Sequence, residues 1–243
     1  MKIAIIGYGK MGHIIEQMAK QRGHTIVSTI DIGNLDDFRS DAFRSADVAI
    51  EFTMPSVAFD NCQQCFAAGV PVVSGTTGWT NRLGEIKKQC EDEDKTFFYA
   101  SNFSVGVNIF FAVNRFLAKL MKSYPAYDVD LKEIHHIHKV DAPSGTAITL
   151  ADDIIDETGR KSAWRLASEG VSCRPDELKI TALREDEIPG IHEVRYDSGA
   201  DTITIRHEAK SREGFAFGAV LAAEFTAGKK GFLTMKDMLM IND

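Results

Sequence analysis

The chain reads as an α/β protein: a Rossmann-like parallel doubly wound sheet carrying an inserted α+β domain built on a mostly antiparallel or mixed sheet. Three features predict this. Short apolar runs rich in β-branched residues alternate with helix-patterned segments from Lys2 to Ala100, as parallel sheets with covered faces require. The first run ends in a glycine-rich turn. From Asp128 onward the runs change to polar–apolar alternation of period two, the pattern of a sheet with one solvated face.

In chain order, Lys2 to Gly7 suits a buried parallel strand. Gly7-Tyr8-Gly9-Lys10-Met11-Gly12 follows as a G-x-G-x-x-G, then a helix pattern from Met11 to Arg22 and a second strand from Gly23 to Asp31. In such a motif Gly7 permits the tight turn, Gly9 lets backbone approach a pyrophosphate, and Gly12 allows close helix–strand packing. The helix start offers free N–H groups to phosphates. Asp31 is placed to accept hydrogen bonds from an adenosine ribose. A lone G-x-G-x-x-G is weak and could be a plain strand–helix turn. Here strand, helix, second strand and terminal acid occur in the order that dinucleotide binding needs.

Further strands are expected at Asp47 to Thr53, Val70 to Ser74 and Thr96 to Ala100, with helices at Val57 to Gly69 and Arg82 to Glu93. The loops Gly75-Thr76-Thr77-Gly78 and Ala100-Ser101-Asn102-Phe103 then fall at carboxyl ends of strands, where open α/β sheets bind ligands. Turn chemistry alone would also account for their composition. Cys62 and Cys65 form a C-x-x-C inside the Val57 to Gly69 helix rather than at its start, and no second cysteine pair exists. They read as helix-face residues, not as a redox or metal motif.

The bulk numbers exclude several classes. The chain has 243 residues, 44% of them hydrophobic and 26% charged, ordinary values for a globular protein with a real core. A net charge of −7 argues against sequence-independent nucleic-acid binding. No apolar run approaches the roughly 18 residues of a membrane span. The N-terminus enters a strand pattern at once, so no signal peptide is expected, and four cysteines without a disulfide framework suit a reducing cytoplasm.

In the second half, Ser104 to Met121 carries a broad apolar helical face, and Asp128 to Ile134 alternates like a half-buried strand. Ile180 to Leu183, Ile191 to Tyr196 and Thr202 to His207 extend that sheet, while Ser168 to Glu187 reads as a largely solvated loop region. Phe215 to Ala227 is a buried helix able to return to the first sheet.

The densest chemistry lies between Glu133 and Thr146, with the sequence Glu-Ile-His-His-Ile-His-Lys-Val-Asp-Ala-Pro-Ser-Gly-Thr. Imidazole titrates near neutral pH and serves as acid or base, and lysine donates a proton or holds an anion. Ser144-Gly145-Thr146 opens a helix from Thr146 to Glu157, whose free N–H groups suit a carboxylate. A metal site is the rival reading, but the histidines lack a nearby cysteine or a helical i,i+4 pair. Together these groups suit a small carboxylated substrate that is protonated as it is reduced.

This stretch resembles the E-x-H-H-x-x-K-x-D-A-P-S-G-T signature of the 4-hydroxy-tetrahydrodipicolinate reductase (dihydrodipicolinate reductase) family, from Glu133 to Thr146. Gly75 to Gly78, Asn102 to Asn108, Ser211-Arg212 and Met235 to Leu239 match as well, so the resemblance covers essentially the whole chain. It implies an NAD(P)H-dependent reduction of a cyclic dicarboxylate in the diaminopimelate route to lysine. His135 would be the proton donor and acceptor, and Lys139 a second donor. His136, Gly145 and Thr146 would bind the substrate carboxylates. Gly7, Tyr8, Gly9, Lys10, Met11, Gly12, Asp31, Gly75, Thr76, Thr77, Ala100, Ser101, Asn102 and Phe103 would line the cofactor. The implied organisation is residues 1–104 for the dinucleotide, 105–212 for substrate and for assembly into a homotetramer, and 213–243 as a return to the first domain. Neither a resident metal, a nucleic acid nor a membrane belongs to that picture.

The chain departs from the family pattern around the cofactor. Its glycine loop is one residue shorter than the commoner bacterial form, Lys10 stands where arginine is frequent, Ser101 replaces a usual proline, and the segment between Asp31 and Asp47 is short. Asp31 would repel a 2′-phosphate and Ile32 offers no arginine to hold one, which favours NADH over NADPH. Lys10 would partly offset this, so both cofactors stay open. Two other functions compete: a nicotinamide-linked oxidoreductase for a different carbonyl or imine, and a nucleotide-sensing module without catalysis. The first predicts divergence within Asp141 to Thr146, and the second predicts loss of His135 and Lys139. Neither is seen.

Overall fold

A computed structural model describes residues 1–167 and 173–241. The chain forms two compact units, Met1–Val105 with Glu213–Asp243, and Gly106–Arg212. The first unit opens with β1 (Lys2–Ile6), α1 (Lys10–Gln21), β2 (Thr25–Ile30), a 3₁₀ turn (Leu35–Arg39), α2 (Asp41–Arg44), β3 (Val48–Glu51), α3 (Pro55–Ala68), β4 (Val72–Ser74), α4 (Leu83–Asp92) and β5 (Thr96–Tyr99). The second contains α5 (Val105–Met121), β6 (Asp128–His135), α6 (Gly145–Thr158), β7 (Ala163–Leu166), β8 (Glu177–Arg184), β9 (Ile191–Asp197) and β10 (Thr202–Glu208). The chain then completes the first unit with α7 (Glu213–Thr226), β11 (Gly231–Thr234) and α8 (Met235–Leu239).

The first sheet has the order β11-β5-β4-β3-β1-β2, and every pairing in it is parallel. Its strands read as unbroken apolar runs because both faces are covered. On β1, Ile3 and Ile5 pack with Ile15 and Ala19 of α1 and Ala219 and Ala223 of α7. Ala4 and Ile6 face the other layer, with Cys62 and Cys65 of α3 and Ile86 of α4. Both α3 thiols are fully buried, and burial pushes them well above the ordinary thiol value, so they are inert packing groups. β1 lies between β2 and β3, so the chain reverses its winding there, and a ligand crevice opens at that point on such a sheet.

The second unit has the order β10-β9-β6-β8-β7. β6 pairs antiparallel with β9 and parallel with β8, β7 joins β8 in parallel, and β10 joins β9 antiparallel. The sheet is therefore mixed, two pairings antiparallel and two parallel, within the mostly antiparallel or mixed sheet expected. The cause is the connection from β6 through α6 and β7, which returns the chain in the same direction as β6. Val129 and Leu131 of β6 pack with Leu150 and Ile154 of α6 and Phe110 and Ala118 of α5. The solvated loop expected from Ser168 to Glu187 is corrected: β8 begins at Glu177, and Leu178 and Ile180 are fully buried. Flanking charges hid that alternation, while residues 168–172 lie outside the described part. The short β7 and β11 carried no expectation, being four-residue strands without turn signals on both sides.

Candidate active site

The glycine turn of the first unit is tightly built and leaves the start of α1 open. Gly7 has φ of +90°, and a Cβ added there would come within 2.0 Å of the Phe52 carbonyl oxygen. Gly12 is equally confined: its Cβ would lie 2.3 Å from the Gly7 carbonyl oxygen. Gly9, by contrast, faces open space and is the N-cap of α1 without any side-chain cap. The first-turn N–H groups therefore have no side chain competing for them. Asp31, just past β2, accepts the Tyr8 N–H at 3.3 Å and the Ile32 N–H at 2.8 Å, so the acid sits beside the turn.

Two cavities share this crevice. One of about 660 Å³ is lined by Gly7, Tyr8, Gly9, Asp31 and Ile32, with Arg39 from the 3₁₀ turn. The other, about 380 Å³, is lined by Gly9 to Gly12 and Gly75 to Thr77. The open Gly9, the uncapped helix start and the acid at the end of β2 fit a dinucleotide. Buried Glu51 holds the wall between the loops. It accepts the Ser74 hydroxyl at 2.5 Å and the Thr76 hydroxyl at 2.8 Å, and bonds Thr53 closely, while burial, partly opposed by those bonds, raises its carboxyl. The Thr76 hydroxyl is thus committed inward. Ala100 and Phe103 are buried in the core shared with α7 and line neither cavity. Ser101 and Asn102 stay at the surface between them, and the Asn102 side chain accepts the Ser104 N–H at 2.9 Å.

In the second unit, the alternation of β6 turns Glu133 and His135 to the same inner face. Glu133 is fully buried. Its Oε1 accepts the Ser144 N–H at 3.1 Å and the Arg184 Nη2 at 3.2 Å, and its Oε2 lies 2.8 Å from His135 Nδ1. Arg184 also donates to the carbonyl oxygens of Lys139 at 3.2 Å and Asp141 at 2.5 Å. Lys139 Nζ pairs with Asp141 at 2.7 Å, and His136 follows His135 with its ring 6.1 Å from that of His138. The Ala142–Pro143 peptide, which leads into Ser144, is cis. Ser144 caps α6, accepting the Ala147 N–H at 3.2 Å. That leaves the N–H groups of Gly145 and Thr146 with no acceptor inside the helix, beside open space at Gly145. A carboxylate suits such a helix start.

Three residues that carried no expectation join this cluster. Arg184 and His192 arrive by sheet register, opposite His135 and Glu133 respectively. Gly190, just before β9, has φ of +156°, and a Cβ there would come within 3.1 Å of His135 Nε2. Gly190→Ala is accordingly expected to push the imidazole aside by a few tenths of an ångström and lower kcat, by less than the roughly 10²-fold that a 1 Å misplacement costs. The cofactor dissociation constant should stay unchanged, which titration by nicotinamide fluorescence checks. Pro189-Gly190 was readable as a turn, but not as the floor under His135. Glu133, His135 and His192 also present ligand atoms within 4.8 Å of one another, and a cation there would compete with Arg184 for the same carboxylate.

Electrostatics order the cluster. Burial alone would raise the Glu133 carboxyl, but His135, Ser144 and Arg184 together lower it to about 2. Burial first, and the neighbouring His135 second, push His192 down to about 3, so it is neutral and shares a 3.1 Å hydrogen bond with the Ser144 hydroxyl. Both shifts destabilise the fold in acid. The unfolded chain binds protons on His192 below about 6.5 and on Glu133 below about 4.5, whereas the folded chain resists both. Stability is therefore complete above about 6.5 and falls as pH drops toward 2. Thermal melts across that range should show the fall, and His192→Asn should flatten its upper part, between about 6.5 and 4.5.

A parallel sheet with an open glycine turn at its switch point, joined in one chain to a unit bearing imidazole, ammonium and an open helix start, has the make-up of a dinucleotide-dependent oxidoreductase with an inserted domain. Residues 1–103 match the family model described as dihydrodipicolinate reductase, N-terminus, and residues 106–239 the one described as dihydrodipicolinate reductase, C-terminus. The chain belongs to the dihydrodipicolinate reductase family. A 4-hydroxy-tetrahydrodipicolinate reductase of Christiangramia forsetii is 48% identical over 243 residues, covering 98% of both chains. The protein of the same name from Archaeoglobus fulgidus is 34% identical, over 98% of this chain and all of its own. Among solved structures, the dipicolinate-bound dihydrodipicolinate reductase of Paenisporosarcina sp. TG-14 superposes with a TM-score of 0.75 at 23% identity, over 98% of each chain, and supports the fold. The activity is that of an NAD(P)H-dependent oxidoreductase reducing 4-hydroxy-tetrahydrodipicolinate in the diaminopimelate route to lysine. No helix among the described residues is long and apolar enough to cross a membrane.

Proposed function

We propose that the reduction is divided between the units: Met1–Val105 with the C-terminal return holds the cofactor, and Gly106–Arg212 binds the substrate and supplies the proton. The observation that carries this is the gathering of His135, the Lys139 loop and the open start of α6 around one buried carboxylate, Glu133. The reduced nicotinamide, when bound, supplies the hydride. His135 gives the proton to the neighbouring ring carbon, and Lys139, released from Asp141, is a second donor. Gly145 and Thr146 hold one substrate carboxylate through their N–H groups and the Thr146 hydroxyl, and His136 contacts the substrate beside it. Gly7 to Gly12, Asp31 and Gly75 to Thr77 hold the dinucleotide. Ala100 to Phe103 support that site, with Ser101 and Asn102 as its accessible part.

NADH is the preferred reductant on this reading. Asp31 stands beside the glycine turn, and Asp36 and Asp60 line the same cavity, so a 2′-phosphate meets three carboxylates against Arg39 and nearby Lys10. The test is oxidation of NADH and of NADPH by the purified protein with freshly generated substrate, followed at the nicotinamide absorbance band. Turnover with a lower KM for NADH is expected, and no oxidation of either cofactor would sink the reading.

A homotetramer assembled through the second sheet is the expected state. Its support is the family resemblance together with β10, an edge strand with no buried residue and with Ile203 turned to solvent. Light scattering on the purified chain decides it, and a monomer at enzymatic concentrations would contradict it. A reducing cytoplasm suits the four cysteines, all of them free.

A further inference from the structure

We infer that Glu133 is a positioning residue for catalysis: it fixes His135 as the tautomer protonated at Nδ1, leaving Nε2 as the nitrogen that delivers the proton. This rests on the reading of His135 as the proton donor.

A carboxylate with no exposed surface costs several kcal/mol unless its oxygens are paired. Oε1 is satisfied by the Ser144 N–H and by Arg184, both permanent donors. Oε2 is left to the imidazole, 2.8 Å from Nδ1. The Nδ1 hydrogen direction is bent away from Oε2 in this structure, but an ionised carboxylate at that distance can only accept, which favours hydrogen on Nδ1 and leaves the other nitrogen to exchange its own. That nitrogen points past Gly190, where the absent side chain leaves it room. The division of ring nitrogens is the one by which buried carboxylates orient catalytic or metal-binding histidines elsewhere.

The surroundings agree. His192, from β9, lies edge-on to His135 with ring centroids 5.0 Å apart, and its Nε2 is 3.9 Å from Glu133 Oε2, too far to take the bond from His135. Arg184 faces the pair from β8, Lys139 from the following loop, and His207, from β10, acts on His192 from beyond it. Among these groups Glu133 is the one negative charge in contact with the imidazole. The same carboxylate holds the first residue of the α6 cap, and its partner Arg184 holds the carbonyl oxygens of Lys139 and Asp141. One ion pair therefore sets the proton donor, the second donor's loop and the carboxylate-binding turn together.

The unmodified enzyme gives the first test. Nitrogen-15 shifts of the His135 ring, followed across pH, should show Nδ1 protonated in the neutral form; an Nε2-protonated ring or an even mixture overturns the proposal without any variant. Glu133→Gln should then lower kcat by about 10²-fold or more with the KM for NADH unchanged. It should also move the alkaline limb of the kcat/KM profile to lower pH, and Glu133→Asp should restore part of that displacement. A purely structural Glu133 would lower thermal stability and leave the limb in place, which overturns the proposal, as does wild-type turnover in Glu133→Gln. His135→Gln separates the two readings. If it is fully active, the proton-donor reading falls; if it is inactive while Glu133→Gln is not, only the positioning role falls.

Discussion

His135→Gln is expected to lower kcat by about 10²- to 10⁴-fold, the share that a positioned acid or base normally contributes. The NADH dissociation constant should not change, because the cavities that fit the dinucleotide are lined by the glycine turn, the end of β2 and the Gly75 loop of the first unit, whereas His135 belongs to the second. Glutamine nearly matches histidine in volume, and its amide can still donate to Glu133, so the buried carboxylate keeps a partner and the fold survives. What the amide cannot do is gain and lose a proton near neutral pH. Steady-state kinetics with parallel fluorescence titration of NADH checks the separation. Equal losses in turnover and cofactor affinity would mark His135 as structural.

Gly12→Ala should produce the opposite pattern. Its Cβ would lie 2.3 Å from the carbonyl oxygen of Gly7, a contact between backbone atoms that no rotamer change relieves. α1 must therefore withdraw from β1, at a cost of about 1–3 kcal/mol for such overpacking. The withdrawal carries the open first-turn N–H groups away from the phosphates. A comparable loss of binding energy raises the NADH dissociation constant by about 5- to 150-fold. Turnover at saturating NADH should be close to wild type, since Glu133, His135 and Lys139 belong to a different unit. Titration calorimetry gives the affinity, and a thermal melt reports the packing cost.

Much of this architecture was legible because its signals are local. Strands buried on both faces read as apolar runs, and Gly7, Gly9 and Gly12 each stood where the turn demanded them. His135, Lys139, Gly145 and Thr146 could be named together because one strand end and one helix start, adjacent in sequence, carry them all. The rest depended on partners that a strand does not announce. His192 and Arg184 reach the cluster through the pairing of β6 with β9 and β8, and sequence gives no register between strands so far apart. Glu133 stood in view, but only its burial and its three partners reveal a task. Ala100 and Phe103 show a further ambiguity: an apolar residue at a strand end serves a loop or the core equally well on paper, and both side chains are buried in the core.

The division of labour between the units is tested most directly by measuring kcat and the NADH dissociation constant side by side in the wild type, His135→Gln and Gly12→Ala. The expected result is a crossed pattern: the first variant loses turnover at unchanged affinity, and the second loses affinity with turnover at saturation retained. Parallel losses of both quantities in both variants would contradict it.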